Sequence, residues 1–153
     1  MRGERSDVRI YKEPDKKKHI DLLLLADEQE SMIAKYLAEG TMYVLEDNGV
    51  KAECVVMDAG NRVLEVKNIA VSPEAQGKGY GKKLIEFLAD RYAADFDELQ
   101  AGTGDSPLTI PFYEHCGFVR YGVRKDFFLD NYDHAILEGG RQLVDMIVLR
   151  RKI

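Results

Sequence analysis

The chain has 153 residues, of which 45% are hydrophobic and 32% are charged, a composition typical of one soluble globular domain with a complete core. Its net charge of −5 at pH 7 argues against a nucleic-acid-binding surface and mildly favours a cationic substrate. The longest apolar run, residues 22–26, is too short to cross a membrane, and the charged N-terminus contains no signal-peptide h-region, so we predict a single cytoplasmic domain over residues 1–153 with no membrane or nucleic-acid partner.

The first part of the chain predicts a short edge strand followed by two helices. Residues 8–11 alternate weakly and form the strand. The dipeptide Pro14-Asp15 then opens the first helix. Asp27 is predicted to cap the second helix, with Glu30 as its capping-box partner, and Gly40 is predicted to end it.

Three strands are predicted to follow as a meander. Residues 41–46 and 50–57 form two strands around the Asn48-Gly49 dipeptide, which is a strong hairpin signal. A second turn at 58–61 leads into the strand at 62–71. That strand is apolar on much of both faces, so we place it at the centre of the sheet.

The next stretch, residues 76–81, reads Gln-Gly-Lys-Gly-Tyr-Gly and opens an amphipathic helix. Its glycines allow positive φ angles, so several N–H groups can point at one anion, and the helix presents its positive end to the same place. Lys78, Lys82 and Lys83 surround the first turn, where the helix dipole disfavours cations. A bound polyanion would explain these lysines.

After this helix, residues 98–103 form a short strand, which is predicted to be parallel to 62–71 because a helix connects the two. Ser106 is predicted to cap the next helix with Pro107 at its first position. In that placement Pro111 removes a helix hydrogen bond, so we expect an irregular first turn.

The chain ends with two strands at 118–123 and 142–149, which we predict to pair antiparallel. The segment 124–141 between them is long, acidic and aromatic, and Gly139-Gly140 marks a turn near its end. The segment either binds a cationic acceptor or packs in a dimer interface, and the sequence leaves both alternatives open.

The pattern Gln76-x-x-Gly79-x-Gly81, preceded by residues 68–73, resembles the acyl-CoA loop of the GNAT N-acetyltransferase superfamily. Downstream, Tyr113-Glu114-x-x-Gly117-Phe118 resembles another signature of the same family. The resemblance implies an α+β (α/β three-layer) fold, in which a mixed, mostly antiparallel sheet of six to seven strands is flanked by about four helices. It also implies an acetyl-CoA site near the central strand pair, and acetyl transfer to a primary amine of a small molecule or protein by direct attack in a ternary complex.

The resemblance further implies which residues hold acetyl-CoA, the co-substrate. Backbone groups of the central strand polarise the thioester carbonyl and hold the pantetheine arm, and the glycine loop binds the pyrophosphate. Asp105 or Ser106 stands where many relatives carry an asparagine that contacts pantetheine. The implied cofactor-binding residues are Ile69, Ala70, Val71, Gln76, Gly77, Lys78, Gly79, Tyr80, Gly81, Lys82, Asp105 and Ser106.

Two residues are implied for catalysis. Tyr113 matches the family's general acid, and a phenol can donate a proton to a thiolate of similar basicity. Glu65 matches the base of the histone-acetylating branch, and burial on an apolar strand would raise its pKa toward neutrality. A core tyrosine, an ion pair of Glu65 with a neighbouring strand, and a water chain as the base are the alternatives.

The remaining titratable residues predict no metal site. His19, His115 and His134 fit no metal spacing, and Cys54 and Cys116 read as reduced core thiols. A non-catalytic acyl-CoA sensor and a nucleotide-binding module are the alternatives to an enzyme. A homodimer through the C-terminal strands would be ordinary for the family.

Overall fold

The computed structural model describes residues 7–153, so residues 1–6 of the predicted domain lie outside the described part. The chain forms two compact units. The first unit contains the chain up to Met57 together with Lys67–Arg91, and the second contains Asp58–Val66 together with Tyr92–Ile153. The single domain over residues 1–153 stays a prediction.

Residues 7–153 contain nine strands, five α-helices and two short 3-10 helices, Lys16–His19 and Pro73–Ala75, the first of which precedes α1 directly. The strands are β1 (Arg9–Lys12), β2 (Thr41–Glu46), β3 (Val50–Gly60), β4 (Val63–Val71), β5 (Glu98–Gly104), β6 (Val119–Arg124), β7 (Leu137–Glu138), β8 (Arg141–Gln142) and β9 (Met146–Lys152). The α-helices are α1 (Ile20–Ala26), α2 (Glu30–Leu37), α3 (Tyr80–Tyr92), α4 (Ile110–His115) and α5 (Phe127–Asn131).

Within residues 7–153, seven strands form one sheet in the order β1-β2-β3-β4-β5-β9-β6, and β7 pairs with β8. The pair β4–β5 is parallel, as predicted for two strands joined by a helix, whereas β1–β2, β2–β3, β5–β9 and β6–β9 are antiparallel. The predicted mixed, mostly antiparallel sheet is therefore confirmed. The helix count exceeds the predicted four because the segment 124–141 contributes α5.

The core of the first unit covers both faces of β2. On one face, α1 and α2 supply a cluster of buried side chains together with the strands. Its members are Leu23, Ile33, Tyr36, Leu37, Met42, Val44 and Val55. On the other face, the ring of Tyr43 meets the ring of Phe87 of α3 edge-on at 5.0 Å. Because successive strand residues point to opposite faces, α3 covers the face opposite to α1 and α2.

The hairpin turn predicted at Asn48-Gly49 is confirmed, with φ angles of 55° and 100°. The turn predicted at 58–61 is displaced. Strand β3 extends to Gly60, and the turn is made by Asn61 and Arg62, with φ angles of 54° and 61°. Strand β3 thus continues past its predicted end, and the turn into β4 comes later in the chain than the polar residues alone would favour.

The predicted cap of the second helix is wrong. Helix α2 begins at Glu30, its N-cap is Gln29, and no side-chain hydrogen bond caps it. Asp27 instead ends α1, where its backbone N–H donates to the Leu23 carbonyl. The Asp27 carboxylate accepts a hydrogen bond from the Tyr36 hydroxyl at 3.3 Å. Its side chain is therefore engaged by a buried tyrosine rather than by the helix start.

The end of α2 is satisfied by a lysine. The Lys16 ammonium donates to the carbonyls of Leu37, Ala38 and Gly40, which is favourable at the negative end of a helix. Gly40 is required for a different reason than the prediction assumed. A Cβ at Gly40 would lie 2.5 Å from Val55 Cγ1 and 2.9 Å from the Tyr36 carbonyl oxygen, so close packing excludes a side chain.

In the second unit, the predicted start of the helix after β5 is wrong. Ser106 opens a turn in which its Oγ accepts a hydrogen bond from the Leu108 N–H at 3.1 Å. Helix α4 begins only at Ile110, with Thr109 as N-cap. Pro111 therefore lies in the first turn, where its missing N–H has no intrahelical acceptor to lose.

The segment 124–141 builds a small core of its own. Phe128, Ile136 and Leu143 are buried together, and the ring of Tyr132 stacks on Phe128 at 5.6 Å. Residues around Gly139-Gly140 form the β7–β8 pair. The last long strand therefore begins at Met146 rather than at the predicted residue 142.

Replacing Gly40 with alanine should destabilise the protein by about 1–3 kcal/mol, because the added methyl group overpacks the contact between α2 and β3. Urea unfolding of Gly40→Ala measures this. Gly122→Ala is the matched control, since a Cβ at Gly122 meets nothing within 4 Å and the control should unfold at the wild-type urea concentration. Equal unfolding midpoints for the two variants would contradict the packing argument.

Candidate active site

The glycine loop lies between the end of β4 and the start of α3. Gln76 Nε2 donates to the Val71 carbonyl at 3.1 Å, which ties the loop to the end of the strand. Gly77 and Gly79 have φ angles of 82° and 84°, and a Cβ at either position would meet no atom within 4 Å. Both glycines therefore adopt the predicted left-handed backbone and border open space.

The first turn of α3 presents free helical amides and positive charge. The Lys83 N–H donates to the Gly79 carbonyl at 3.0 Å, so the N–H groups of the preceding three residues lie before the first intrahelical bond. Lys78, Lys82 and Lys83 are exposed around them. This combination of amides, dipole and ammonium groups is suited to a polyanion such as a pyrophosphate.

The side chain of Tyr80 has a structural part in this turn. It is buried, and its hydroxyl donates to Asp47 Oδ2 in the turn between β2 and β3. The hydrogen bond to Asp47 raises the pKa of Tyr80, with burial and the Asp47 charge acting in the same direction. Tyr80 is therefore available to a ligand mainly through its backbone N–H, while its ring anchors the start of α3.

The strand that leads into the loop alternates in burial over its last five residues: Asn68 and Ala70 are buried, whereas Lys67, Ile69 and Val71 are partly buried. The Lys67 ammonium lies 5.7 Å from the centre of the Tyr36 ring, and the next residue, Asn68, donates from Nδ2 to the Tyr36 hydroxyl at 3.0 Å. The long Lys67 side chain and the Asn68 amide thus both interact with Tyr36 of α2. Residues 69–71, the implied acetyl-CoA contacts, follow directly.

Glu65 is buried in the second unit at 8% exposure. Its Oε1 accepts a hydrogen bond from Gln100 Nε2 at 3.0 Å, and Gln100 Oε1 accepts one from Arg150 Nε at 2.8 Å. Arg150 also pairs with Glu98 at 3.4 Å. An amide and a guanidinium therefore hold the Glu65 carboxylate in one orientation, and its role as a base stays a prediction.

Tyr113 lies in α4 with 8% of its surface exposed. Its ring meets Phe112 and Phe118 edge-on at 5.2 and 5.4 Å, so the direction of the phenol is set by packing. Ser106 is buried with its hydroxyl in the turn described above, whereas Asp105 is exposed and lies 3.9 Å from Arg120. The roles of these three predicted site residues stay predictions.

Glu53 is a buried acid that the sequence analysis did not single out. It lies on β3 opposite Val44 and has no exposed surface. Within residues 7–153, neither oxygen of its carboxyl group has a hydrogen-bond partner. Burial raises the pKa of Glu53 to about 8. An acid between the small and apolar residues Ala52 and Cys54, just before Val55 and Val56, was the signal that could have identified it.

One histidine and both cysteines occupy buried positions. His19 is buried and bonded to Glu13 at 2.8 Å, and both cysteines are buried free thiols, as predicted. Across the described residues, no group of three or more potential metal ligands occurs. In the same part of the chain, no helix has the length and apolar character needed to cross a membrane.

Comparison with known proteins gives consistent matches. Residues 38–120 match the Acetyltransferase (GNAT) domain. The uncharacterized N-acetyltransferase YvbK of Bacillus subtilis is 34% identical over 150 residues, which make up 96% of this chain and 91% of the relative. The match thus extends over nearly the whole length of both proteins.

Solved structures agree with this match. An IAA acetyltransferase from Bacillus cereus has a TM-score of 0.88 at 34% identity and covers 96% of this chain and 100% of its own. A GNAT family acetyltransferase from Elizabethkingia anophelis with acetyl-CoA bound has a TM-score of 0.90 at 31% identity, over 97% and 100% of the two chains. A Bacillus subtilis acetyltransferase in complex with CoA has a TM-score of 0.84 at 30% identity, over 97% and 99%.

Glu53 should make the protein less stable as the pH rises. Its pKa is 4.5 in the reference state and about 8 in the folded protein, so the folded state binds the proton more tightly. The resulting stabilisation, on the order of a few kcal/mol, is complete below pH 4.5 and is lost as the pH rises to about 8. The Glu53→Gln variant has no carboxyl group at this position and does not lose this stabilisation. Its melting temperature should therefore rise relative to that of the wild-type protein as the pH increases across this range. A constant difference would contradict the assignment.

Proposed function

The chain belongs to the GNAT acetyltransferase family, and from this premise we propose that it transfers the acetyl group of acetyl-CoA to a primary amine of a small molecule or protein. The amine attacks the thioester directly in a ternary complex. The observation that carries the proposal is the unit formed by β4, the glycine loop and α3, which offers amide N–H groups and three lysines to a polyanion. Relatives with this fold bind acetyl-CoA or CoA.

Acetyl-CoA binding is assigned to the backbone of this unit. The N–H groups of Ala70 and Val71, together with Ile69, hold the pantetheine arm and polarise the thioester carbonyl. The loop from Gln76 to Gly81, with Lys82, binds the pyrophosphate. Asp105 and Ser106 are the further candidates for a pantetheine contact, and the ion pair of Asp105 with Arg120 would offset its negative charge.

The chemistry needs two proton transfers. The amine nitrogen loses a proton and forms a bond to the carbonyl carbon, and the C–S bond then breaks to release the thiolate of CoA. We propose that Glu65, whose carboxylate is oriented by Gln100, accepts the proton that the amine loses. Tyr113 then donates a proton to the thiolate of CoA. Fixed orientations of both groups support these roles, since each side chain is buried and packed.

The acceptor is proposed to be cationic. The net charge is −5, and Asp126, Asp130 and Asp133 expose their carboxylates in the acidic segment. Because Phe128 and Tyr132 pack within the segment's own core, the acceptor is proposed to meet the exposed carboxylates rather than the aromatic rings, and the Asp133 carboxylate is itself paired with His134. Attraction between such carboxylates and an ammonium group favours an amine with additional positive charge.

The protein is further proposed to act as a cytoplasmic homodimer. Strand β6 lies at the edge of the sheet and exposes Val119, Tyr121 and Val123, each by more than half of its surface. Such a row of apolar side chains on an edge strand is suited to an interface with a second copy. Size-exclusion chromatography with light scattering determines the oligomeric state.

Replacing Gly79 with alanine should weaken acetyl-CoA binding at least tenfold, because the side chain strains a left-handed backbone and occupies the space through which the loop meets its ligand. Isothermal titration calorimetry with acetyl-CoA, CoA and ATP measures the affinities. Gly60→Ala is the matched control, since Gly60 has a φ of 87° and an equally open environment but lies outside the loop. Unchanged affinity in Gly79→Ala would remove the loop from the site, and competition by ATP would favour a nucleotide-binding module.

Replacing Tyr113 with phenylalanine should lower kcat about 100-fold across the pH range while leaving the affinity for acetyl-CoA unchanged, because only the proton donor is lost. A thiol-release assay over a panel of amines measures turnover. Full turnover of Tyr113→Phe would remove the phenol from the mechanism. If the wild-type protein binds acetyl-CoA but releases no thiol with any amine, a non-catalytic acyl-CoA sensor becomes the better description.

A further inference from the structure

The segment that contains the glycine loop is tied to the β2–β3 hairpin at two points. Before the loop, the Ser72 N–H donates to the Lys51 carbonyl at 2.8 Å. At the far end of the loop, the Tyr80 hydroxyl donates to Asp47 Oδ2. Both acceptors belong to residues 47–51, which we name the hairpin end, and all of these residues lie in the first unit. One short piece of the hairpin therefore holds the chain before and after the loop glycines.

Between these two points the loop is open to solvent. Residues 76–79 are all exposed, and they lie between two buried side chains, Ala75 and Tyr80. A Cβ at Gly77 or Gly79 would meet no atom within 4 Å, so close packing does not fix the backbone there. Glycine backbone has wide conformational freedom. The course of the exposed stretch therefore depends on how firmly its two ends are held.

The acceptor of the Tyr80 hydroxyl is itself fixed by a tight turn. Asn48 and Gly49 have φ angles of 55° and 100°, and the Asp47 N–H donates to the Gly49 carbonyl at 2.9 Å. Two-residue turns with positive φ angles match the twist of the strands that they join. The backbone of Asp47 is therefore well defined, and a hydrogen bond to its carboxylate is charge-assisted and stronger than one between neutral groups.

The later turns of α3 have contacts of their own. The Phe87 ring meets the Tyr43 ring edge-on at 5.0 Å, and Arg91 Nε donates to the Tyr43 hydroxyl at 2.9 Å. Three further side chains of the helix have no exposed surface: Leu84, Ile85 and Leu88. Loss of the Tyr80 hydroxyl would therefore loosen the first turn, which carries the free N–H groups of residues 80–82, while the rest of the helix stays packed.

We propose that Asp47 and Tyr80 are positioning residues for the pyrophosphate of acetyl-CoA, and that their hydrogen bond holds the first turn of α3 with its free N–H groups directed at the phosphates. This rests on the proposed function, which supplies acetyl-CoA as the ligand of the loop. The Asp47 carboxylate acts through Tyr80 and not by touching the ligand, since like charges repel. Donors that are already in place bind more tightly, because they need not be ordered during binding.

The negative charge of Asp47 separates this role from a direct electrostatic one. If Asp47 affected the ligand by its charge alone, any neutral replacement would strengthen the binding of a polyanion. If it acts through the Tyr80 hydroxyl, the kind of replacement decides the result. Asp47→Asn keeps a side-chain oxygen that accepts the hydrogen bond, whereas Asp47→Ala does not. Both substitutions remove the same charge, so their difference measures the hydrogen bond.

Calorimetric titration with acetyl-CoA at constant ionic strength tests the proposal without any turnover. We expect Tyr80→Phe and Asp47→Ala each to weaken binding about tenfold, because one charge-assisted hydrogen bond is lost. The double variant should bind no more weakly than either single variant, since both substitutions remove the same bond. Asp47→Asn should bind acetyl-CoA at least as tightly as the wild-type protein, because it keeps the acceptor and removes the charge.

Tyr11→Phe is the matched control, because the Tyr11 hydroxyl also donates to a carboxylate, that of Glu46 at 2.9 Å, but lies away from the loop on β1. It should bind acetyl-CoA with the wild-type affinity, and melting temperatures establish that all variants are folded. S-acetylpantetheine, which lacks the pyrophosphate, should bind equally to the wild-type protein and Tyr80→Phe. Wild-type affinity of Tyr80→Phe for acetyl-CoA, equal binding by Asp47→Ala and Asp47→Asn, or a matching loss for S-acetylpantetheine would each overturn the proposal.

The thiol-release assay separates this inference from the proposed function. In Tyr80→Phe the KM for acetyl-CoA should rise about tenfold while kcat stays unchanged, because the reacting groups are not altered. Weaker acetyl-CoA binding by the variants, with no thiol release by the wild-type protein on any amine, would overturn the transfer function and support the positioning role. Thiol release with an unchanged KM in Tyr80→Phe would leave the transferase standing and overturn the positioning role. Absence of acetyl-CoA binding by the wild-type protein would overturn both.

Discussion

The arrangement of the first unit depends on the two hydrogen bonds donated by the Asn68 side chain. One connects β4 to the carbonyl at Leu23 of α1, and the other connects it to the hydroxyl of Tyr36 in α2. Each bond is worth about 1 kcal/mol net, but a buried partner left unbonded costs about 1–3 kcal/mol. A single side chain thus places two helices against the strand, directly before the residues proposed to hold the thioester.

Buried polar atoms without a hydrogen-bond partner lower the free energy of unfolding of the first unit. A fully buried carboxyl group without a partner is unfavourable, and replacing such a group by one that needs no ionisation is usually tolerated or stabilising. Within residues 7–153, Glu53 is such a group, and burial raises its pKa to about 8. In the part of the chain that the structure describes, the side-chain oxygen of Asn68 also has no hydrogen-bond partner, although its amide nitrogen donates two hydrogen bonds.

The distribution of charge separates two kinds of ligand. The chain is acidic overall, yet the glycine loop exposes Lys78, Lys82 and Lys83. The Debye length is about 8 Å at physiological ionic strength, so lysines clustered in the loop and the first turn of α3 dominate the local field even on an acidic protein. The exposed carboxylates of the segment 124–141 have the opposite preference. A polyanionic co-substrate and a cationic acceptor are therefore each attracted by their own group of residues.

Local chemistry was enough for the elements whose residues permit few conformations. Asn48-Gly49 required a hairpin with positive φ angles, and Gly77 and Gly79 required a left-handed loop before a helix, so both features were predicted correctly. The resemblance to the family rested on the same loop and on the signature at Tyr113. The parallel pairing of β4 with β5 followed from the helix that connects them.

The errors arose where several residues could serve equally well. Asp27 and Ser106 are both good N-caps, but packing moved each helix start by two or more residues, and the turn after β3 moved in the same way. Cap preferences of about 1 kcal/mol are smaller than the energy of burying one or two large apolar side chains.

By itself, the sequence determined the order of the main elements outside the segment 124–141, the glycine loop and the family. Only the tertiary structure decided that Asn68 bonds Leu23 and Tyr36, that Gln100 and Arg150 orient Glu65, and that the aromatic residues near Phe128 pack on one another. The physical reason is that burial and hydrogen-bond partners arise from contacts between residues far apart in the chain, which local conformational preferences do not contain.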